Sequence, residues 1–257
     1  MIEVLRGIFI PLIGTVLGSG AVFVFKKGMK PSVQRGFSGF AAGVMVAAAV
    51  WSLIIPSIEQ AENLGVLAFI PVIIGVWVGF LFLMLLDKLI PHIHGTDHEG
   101  PKSNLKRSTK MILAVALHNL PEGMAVGVAL AGLLYGENTI SAATTLALSI
   151  GIAIQNFPEG AIISVPLHSE GMSRKKAFLC GAISGAVEPL GAVLTLLLAS
   201  VLVPTLPYFL SFAAGAMLYV VVEELIPEMT GEEHSHTGTA FFFIGFSLML
   251  ILDIILG

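Results

Sequence analysis

Eight apolar stretches, each long enough at roughly 20 residues to cross a bilayer as a helix, dominate this chain and leave it little choice but to fold in lipid. They run near Val4–Phe25, Gln34–Pro56, Gly65–Leu89, Lys110–Leu133, Thr139–Pro166, Ala177–Val201, Pro207–Ile226 and Gly238–Leu256. Of the 257 residues, 56% are hydrophobic and 12% charged, about half the charge of an ordinary soluble domain. One soluble core could not hide that much apolar surface. A net charge of -4 without a basic face excludes a nucleic-acid binder. The single cysteine, Cys180, permits neither an intrachain disulfide nor a thiolate metal cluster. The first stretch is too long for a cleavable signal, and no small-residue cleavage site follows it. The chain reads as one all-α membrane domain over residues 1–257.

Orientation follows from the basic residues. Lys26, Lys27, Lys30 and Arg35 lie between spans 1 and 2. Lys88, Lys102, Lys106, Arg107 and Lys110 surround the third connection, and Arg174, Lys175 and Lys176 lie between spans 5 and 6. All fall on one side, and Arg6 alone falls on the other. The positive-inside rule puts those loops in the cytoplasm and both termini outside.

The chain repeats itself. Asn119-Leu-Pro-Glu-Gly123 on span 4 recurs as Asn156-Phe-Pro-Glu-Gly160 on span 5, and Ala41-Ala-Gly-Val-Met45 on span 2 recurs as Ala213-Ala-Gly-Ala-Met217 on span 7. A fainter echo relates Pro11-Leu12 to Pro189-Leu190. Spans 1–3 thus look like spans 6–8 in opposite orientation, around a central pair: a 3+2+3 inverted repeat. Such repeats around a midplane site are a transporter signature.

Polar residues sit inside the apolar spans. His118 and Glu122 are four apart and share a helix face, and Gln155 and Glu159 repeat the spacing one span later. Asn119 and Asn156 accompany them, and span 6 adds Glu188 before Pro189. Each ionised carboxylate at bilayer depth costs about 3 kcal/mol, so three cost roughly 9 kcal/mol if uncompensated. No lysine or arginine lies at that depth, so protons or a bound cation must neutralise them. One imidazole, three carboxylates and three amide oxygens without a thiolate suit a divalent ion such as Zn2+, Fe2+, Mn2+, Cd2+ or Ni2+. This oxygen-rich set differs from the closed Cys/His cage of structural zinc. A buried polar network that only glues helices together is the competing explanation, though serine or threonine would serve that purpose more cheaply.

His118-Asn-Leu-Pro-Glu-Gly123, Gln155-Asn-Phe-Pro-Glu-Gly160, Ser184-Gly-Ala-Val-Glu-Pro189 and Glu223-Glu-Leu-Ile-Pro-Glu228 together resemble the ZIP (Zrt/Irt-like) metal transporters, nearest to their GufA branch. The resemblance spans essentially the whole chain. It implies eight helices in the 3+2+3 inverted arrangement, transport of zinc and related divalent ions toward the cytosol, elevator-like movement and homodimers. It also implies one metal site from His118, Glu122, Gln155 and Glu159, and an adjacent second site sharing Glu122 and Glu159 and adding Asn119, Asn156 and Glu188. Many members carry His where Gln155 stands and Asp where Asn156 stands, so the local negative charge here is lower.

Secondary features complete the expectations. Glu59 and Glu62 read as attractors for cations at the outer end of span 2, although ordinary interfacial solvation explains Glu62, and Glu228, as well. Glu223 and Glu224 on span 7 read as exit ligands, Glu223 foremost because it follows Val220-Val221-Val222 in apolar surroundings. Residues 91–107 read as a cytoplasmic loop whose His92, His94 and His98, echoed by His234 and His236, bind metal weakly. Glycine pairs such as Gly14/Gly18 and Gly123/Gly127 have the spacing for close helix approach. The chain thus reads as a secondary transporter of zinc, with Zn2+ as substrate, in a bacterial inner membrane. A selective divalent-metal channel, a metal sensor acting through the loop and an intramembrane metal-dependent enzyme are the alternatives; the last lacks a His-Glu-x-x-His motif.

Overall fold

The computed structural model describes residues 2–25, 28–94, 97–135, 140–231 and 236–256. Eight helices are long and apolar enough to cross a membrane: α1 (Ile2–Phe23), α2 (Pro31–Gln60), α3 (Phe69–Leu89), α4 (Arg107–Tyr135), α5 (Ala142–Ser169), α6 (Arg174–Leu197), α7 (Val203–Thr230) and α8 (His236–Leu256). They match the eight apolar stretches of the sequence. Span 3 starts later than its composition suggests, because Gly65 turns the chain at φ 55° within a 3-10 segment, Glu62–Leu67. Ten of the eleven described basic residues lie at one end of the bundle, where α1, α3, α5 and α7 end and α2, α4, α6 and α8 begin. The other side holds the terminal residues of α1 and α8.

The helices pack as two bodies. In one, α1 lies along α5 and α4 along α6; in the other, α2 lies along α8 and α3 along α7. Contacts of α2 with α5 and of α4 with α7 join them. Exchanging α1 with α6, α2 with α7, α3 with α8 and α4 with α5 maps these pairings onto themselves. Glycine lets the backbones meet. A Cβ on Gly123 would strike the Glu188 backbone of α6, and a Cβ on Gly160 would strike Thr15 of α1. Gly191 abuts Leu120 as Gly18 abuts Phe157. This register pairs Thr15 with Glu188, five residues away from the register that Pro11-Leu12 and Pro189-Leu190 suggest.

Prolines shape the helices where function could use the distortion. α2 and α7 each contain a wide π-helical turn, Ala49–Ile54 and Val221–Leu225. Each turn ends two residues before a proline, Pro56 or Pro227, whose missing N–H and ring disturb the hydrogen-bond ladder behind it. α6 breaks between Ser184 and Val187, because Pro189 cannot donate to Gly185 and crowds its carbonyl. α4 and α5, in contrast, remain helical through Pro121 and Pro158.

The apolar core fills the half of the bundle nearer the termini. Leu53, Leu130, Leu148, Ile152 and Leu210 are all fully buried there. Between α3 and α4 the chain departs from the loop expected for residues 91–107: His92–His94 (β1) and Asp97–Glu99 (β2) form a short antiparallel hairpin, with Ile93 opposite His98.

Candidate metal centre

The seven polar residues singled out within spans 4, 5 and 6 are all buried: His118, Asn119, Glu122, Gln155, Asn156, Glu159 and Glu188. Helix periodicity explains most of this, since residues four apart on α4 and on α5 face the same way. The break in α6 explains the rest. It leaves the Ser184 carbonyl outside the regular ladder, where it accepts a hydrogen bond from Asn119 Nδ2 at 3.3 Å.

The hydrogen bonds are sorted by polarity. Gln155 Nε2 donates to Glu122 Oε1 at 2.6 Å. Asn119 Nδ2 donates to Glu188 Oε1 at 3.1 Å, and Thr15 Oγ1 donates to the same oxygen at 2.8 Å. Gln155 and Asn119 each spend an N–H on a carboxylate, and the oxygens that remain have no hydrogen-bond partner among the described residues. These orphans are Asn119 Oδ1, Gln155 Oε1, Glu122 Oε2, Glu159 Oε2 and Glu188 Oε2, with both amide atoms of Asn156 beside them. Buried polar atoms are ordinarily paired. A cluster of unpaired oxygens at bilayer depth is the chemistry of a cation site, because a cation satisfies several lone pairs at once.

The residues nevertheless do not close into one cage. Among the described residues, no three His, Cys, Asp or Glu side chains are gathered tightly enough to hold a metal. They form two hydrogen-bonded pairs, Glu122 with Gln155 and Glu188 with Asn119. His118 and Glu159 instead line a cavity of about 320 Å3 on the side of the basic loops. Glu224, Glu228, Gln34, Ile93 and Arg107 also line it.

Span 7 corrects the sequence reading. Glu223 is exposed on the outer surface of the bundle, while Glu224 is buried and forms an ion pair with His118. The π-helical turn at Val221–Leu225 changes the angular step between neighbours, so the regular period misjudges which glutamate points inward. Glu228, read as an interfacial residue, lines the cavity and accepts a hydrogen bond from Ser38 Oγ at 2.8 Å. Glu59 is exposed near the far end of α2 and joins none of these groups.

His92 is also not the solvated loop residue the sequence suggests. It is fully buried, with Nδ1 at 2.7 Å from the Ile90 carbonyl and Nε2 at 2.8 Å from Asp87. Asp87 accepts in turn from Tyr219 Oη at 3.1 Å. The hairpin is thereby tied to α3 and α7. The side chains of His94 and His98 lie outside what the structure describes, as does His234. Sequence reasoning missed Thr15, Asp87 and Tyr219. The one signal was a polar group in an apolar run, lone for Thr15 and Tyr219 and paired with Lys88 for Asp87.

The amino-acid sequence bears out the family that its motifs resemble. Residues 107–253 match the family model described as ZIP zinc transporter. The chain is 33% identical to the human protein named zinc transporter ZIP11, across 99% of this chain and 97% of that protein. It is 35% identical to zinc transporter GufA of Myxococcus xanthus, across 96% of each. It is 37% identical to zinc transporter ZIPB of Bordetella bronchiseptica, across 87% of this chain and 72% of the other. A polytopic bundle with carboxylates and amides at mid-depth, matched along nearly its whole length by these relatives, is a member of the ZIP zinc transporter family.

Proposed function

We propose that this integral membrane protein carries zinc, and less selectively Fe2+, Mn2+ and Cd2+, into the cytoplasm by alternating access. It acts as a transporter rather than an enzyme, in keeping with the names of its relatives. The observation that carries the reading is the sorted hydrogen-bond network, whose unpaired atoms are the oxygens of Glu122, Gln155, Asn119, Glu159 and Glu188. Glu122, Glu159, His118 and Gln155 take the first ion, and Asn119, Asn156 and Glu188 extend the site to an adjacent second ion. An ion arriving from outside exchanges its water for these oxygens. Protons compete with the metal for the carboxylates, so binding weakens as the pH falls.

The release route runs through the cavity that holds His118, Glu159, Glu224 and Glu228. By the positive-inside rule this side is cytoplasmic and both termini lie outside. The packed leucines and isoleucine of the terminal half seal the other side, which supports a carrier over a channel. The inverted 3+2+3 plan is supported by the packing pairs that exchange onto themselves. The proposed ligands all belong to the α1/α4/α5/α6 body, and Glu224 and Glu228 to the other, so movement of one body past the other carries the ion from one set of partners to the next. We further propose a bacterial inner membrane as its location and, in line with the family resemblance, a homodimer as its assembly.

Equilibrium zinc binding to the purified protein in detergent tests the site. The unmodified chain binds zinc, and Glu122→Gln combined with Glu159→Gln abolishes binding without unfolding the helices. Undiminished binding in the double variant would refute the assignment.

A further inference from the structure

Glu188 reaches the site from α6 with its two carboxylate oxygens in different circumstances. Oε1 accepts from Thr15 Oγ1 at 2.8 Å and from Asn119 Nδ2 at 3.1 Å. Oε2 is equally buried and has no hydrogen-bond partner among the described residues. Thr15 comes from α1 and is itself fully buried. Gly185 stands so close that a Cβ there would lie 2.7 Å from Thr15 Cβ, so the threonine is walled into its place. The glycine contacts that set the register of the inverted halves make Thr15 the counterpart of Glu188: Gly160 abuts Thr15 as Gly123 abuts Glu188. The first half thus places a hydroxyl where the second half places a carboxylate, and the two bond to each other.

We propose that Thr15 is a positioning residue that makes Glu188 a one-oxygen ligand and thereby tunes the site toward small divalent cations. The inference rests on the reading of Glu188 as a ligand given above. A carboxylate binds a metal through one oxygen or through both. Large cations with loose shells use both readily, whereas four-coordinate zinc is content with single donors. Here the second oxygen is held by two charge-assisted hydrogen bonds. An ion that clamps both oxygens must displace them, and one that needs only Oε2 need not. The selectivity acts through Thr15 although its side chain touches no ion.

Uptake of Zn2+ and of the larger Cd2+ into proteoliposomes, at limiting ion concentration, tests this with the full chain. Thr15→Val keeps the shape and removes the donor. It raises the cadmium-to-zinc uptake ratio roughly tenfold, the factor that one hydrogen bond to a charged group supplies. Thr15→Ser restores the donor and returns the ratio to that of the unmodified chain. A purely structural role for Thr15 lowers both ions together and leaves the ratio unchanged, and that result overturns the proposal. Thr15→Ala, smaller and donor-free, gives the same readout if the valine variant does not fold. Glu188→Gln separates the two levels of the argument. If it leaves both rates and their ratio unchanged, Glu188 is not a ligand and the underlying reading fails. If it shifts the ratio while Thr15→Val does not, the role of Thr15 alone fails.

Discussion

At the scale of single residues, the organising fact is that amide N–H groups and carboxylates cancel each other in pairs and leave oxygens over. Gln155 with Glu122, and Asn119 with Glu188, each form one strong bond and present one free oxygen apiece. The ion pair between His118 and Glu224 adds a second kind of pairing, in which a candidate ligand is engaged by the opposite helical body. Glu224→Gln is therefore expected to slow zinc uptake by about tenfold, the scale of a lost hydrogen bond to a charged group. Glu223→Gln, altering an exposed side chain, is expected to leave uptake unchanged. Equal effects of the two substitutions would contradict the placement. The burial of six of the seven polar residues was legible in the sequence because two spans repeat one motif, and that of Glu188 because it interrupts an apolar span. The choice between Glu223 and Glu224 was not, because periodicity assumes a regular helix and Pro227 is preceded by a π-helical turn. Thr15 was illegible for another reason: a lone hydroxyl in an apolar helix usually bonds its own backbone.

At the scale of elements, glycine sets how closely the helices approach and therefore where the side chains of the site stand. A single methyl group at Gly160 would meet the Thr15 carbonyl and Ser19 of α1, whereas one at Gly20 would meet nothing within 4 Å. Gly160→Ala is expected to destabilise the protein by about 2 kcal/mol, the usual scale of overpacking, and Gly20→Ala to leave its thermal midpoint in detergent where it was. A midpoint unmoved by Gly160→Ala would mean that α1 and α5 are not in backbone contact. The eight helices could be read from apolar length alone, because bilayer thickness dictates it. Their distortions could be read only in part: proline marks a neighbourhood of disturbance, and packing decides whether the outcome is a break, as in α6, or a continuous helix, as in α4 and α5. The hairpin of His92–His94 and Asp97–Glu99 escaped the reading because its anchor runs from His92 through Asp87 to Tyr219, which is far away in the chain.

At the scale of the whole molecule, two helical bodies enclose a cavity lined in part by His118, Glu159, Glu224 and Glu228 on the side of the basic loops and a packed apolar half on the other. Cysteine accessibility reads this asymmetry directly. In a Cys180→Ser background, Val115→Cys in the cavity wall is expected to react with a membrane-impermeant thiol reagent in inside-out vesicles, and Leu148→Cys in the sealed half to stay protected. The reverse pattern would contradict the orientation of the cavity. The exchangeable packing pairs echo the sequence repeats, but the register between them was not legible: the faint proline echo is five residues out of step with the glycine contacts that bring Thr15 to Glu188. The central claim is that an ion crosses through the carboxylates and amides of α4, α5 and α6. Its most direct test is zinc uptake into proteoliposomes, comparing the unmodified chain with Glu159→Ala. The account predicts saturable uptake that falls as the external pH is lowered and vanishes in the variant. Undiminished zinc uptake by Glu159→Ala would show that the ion takes another path.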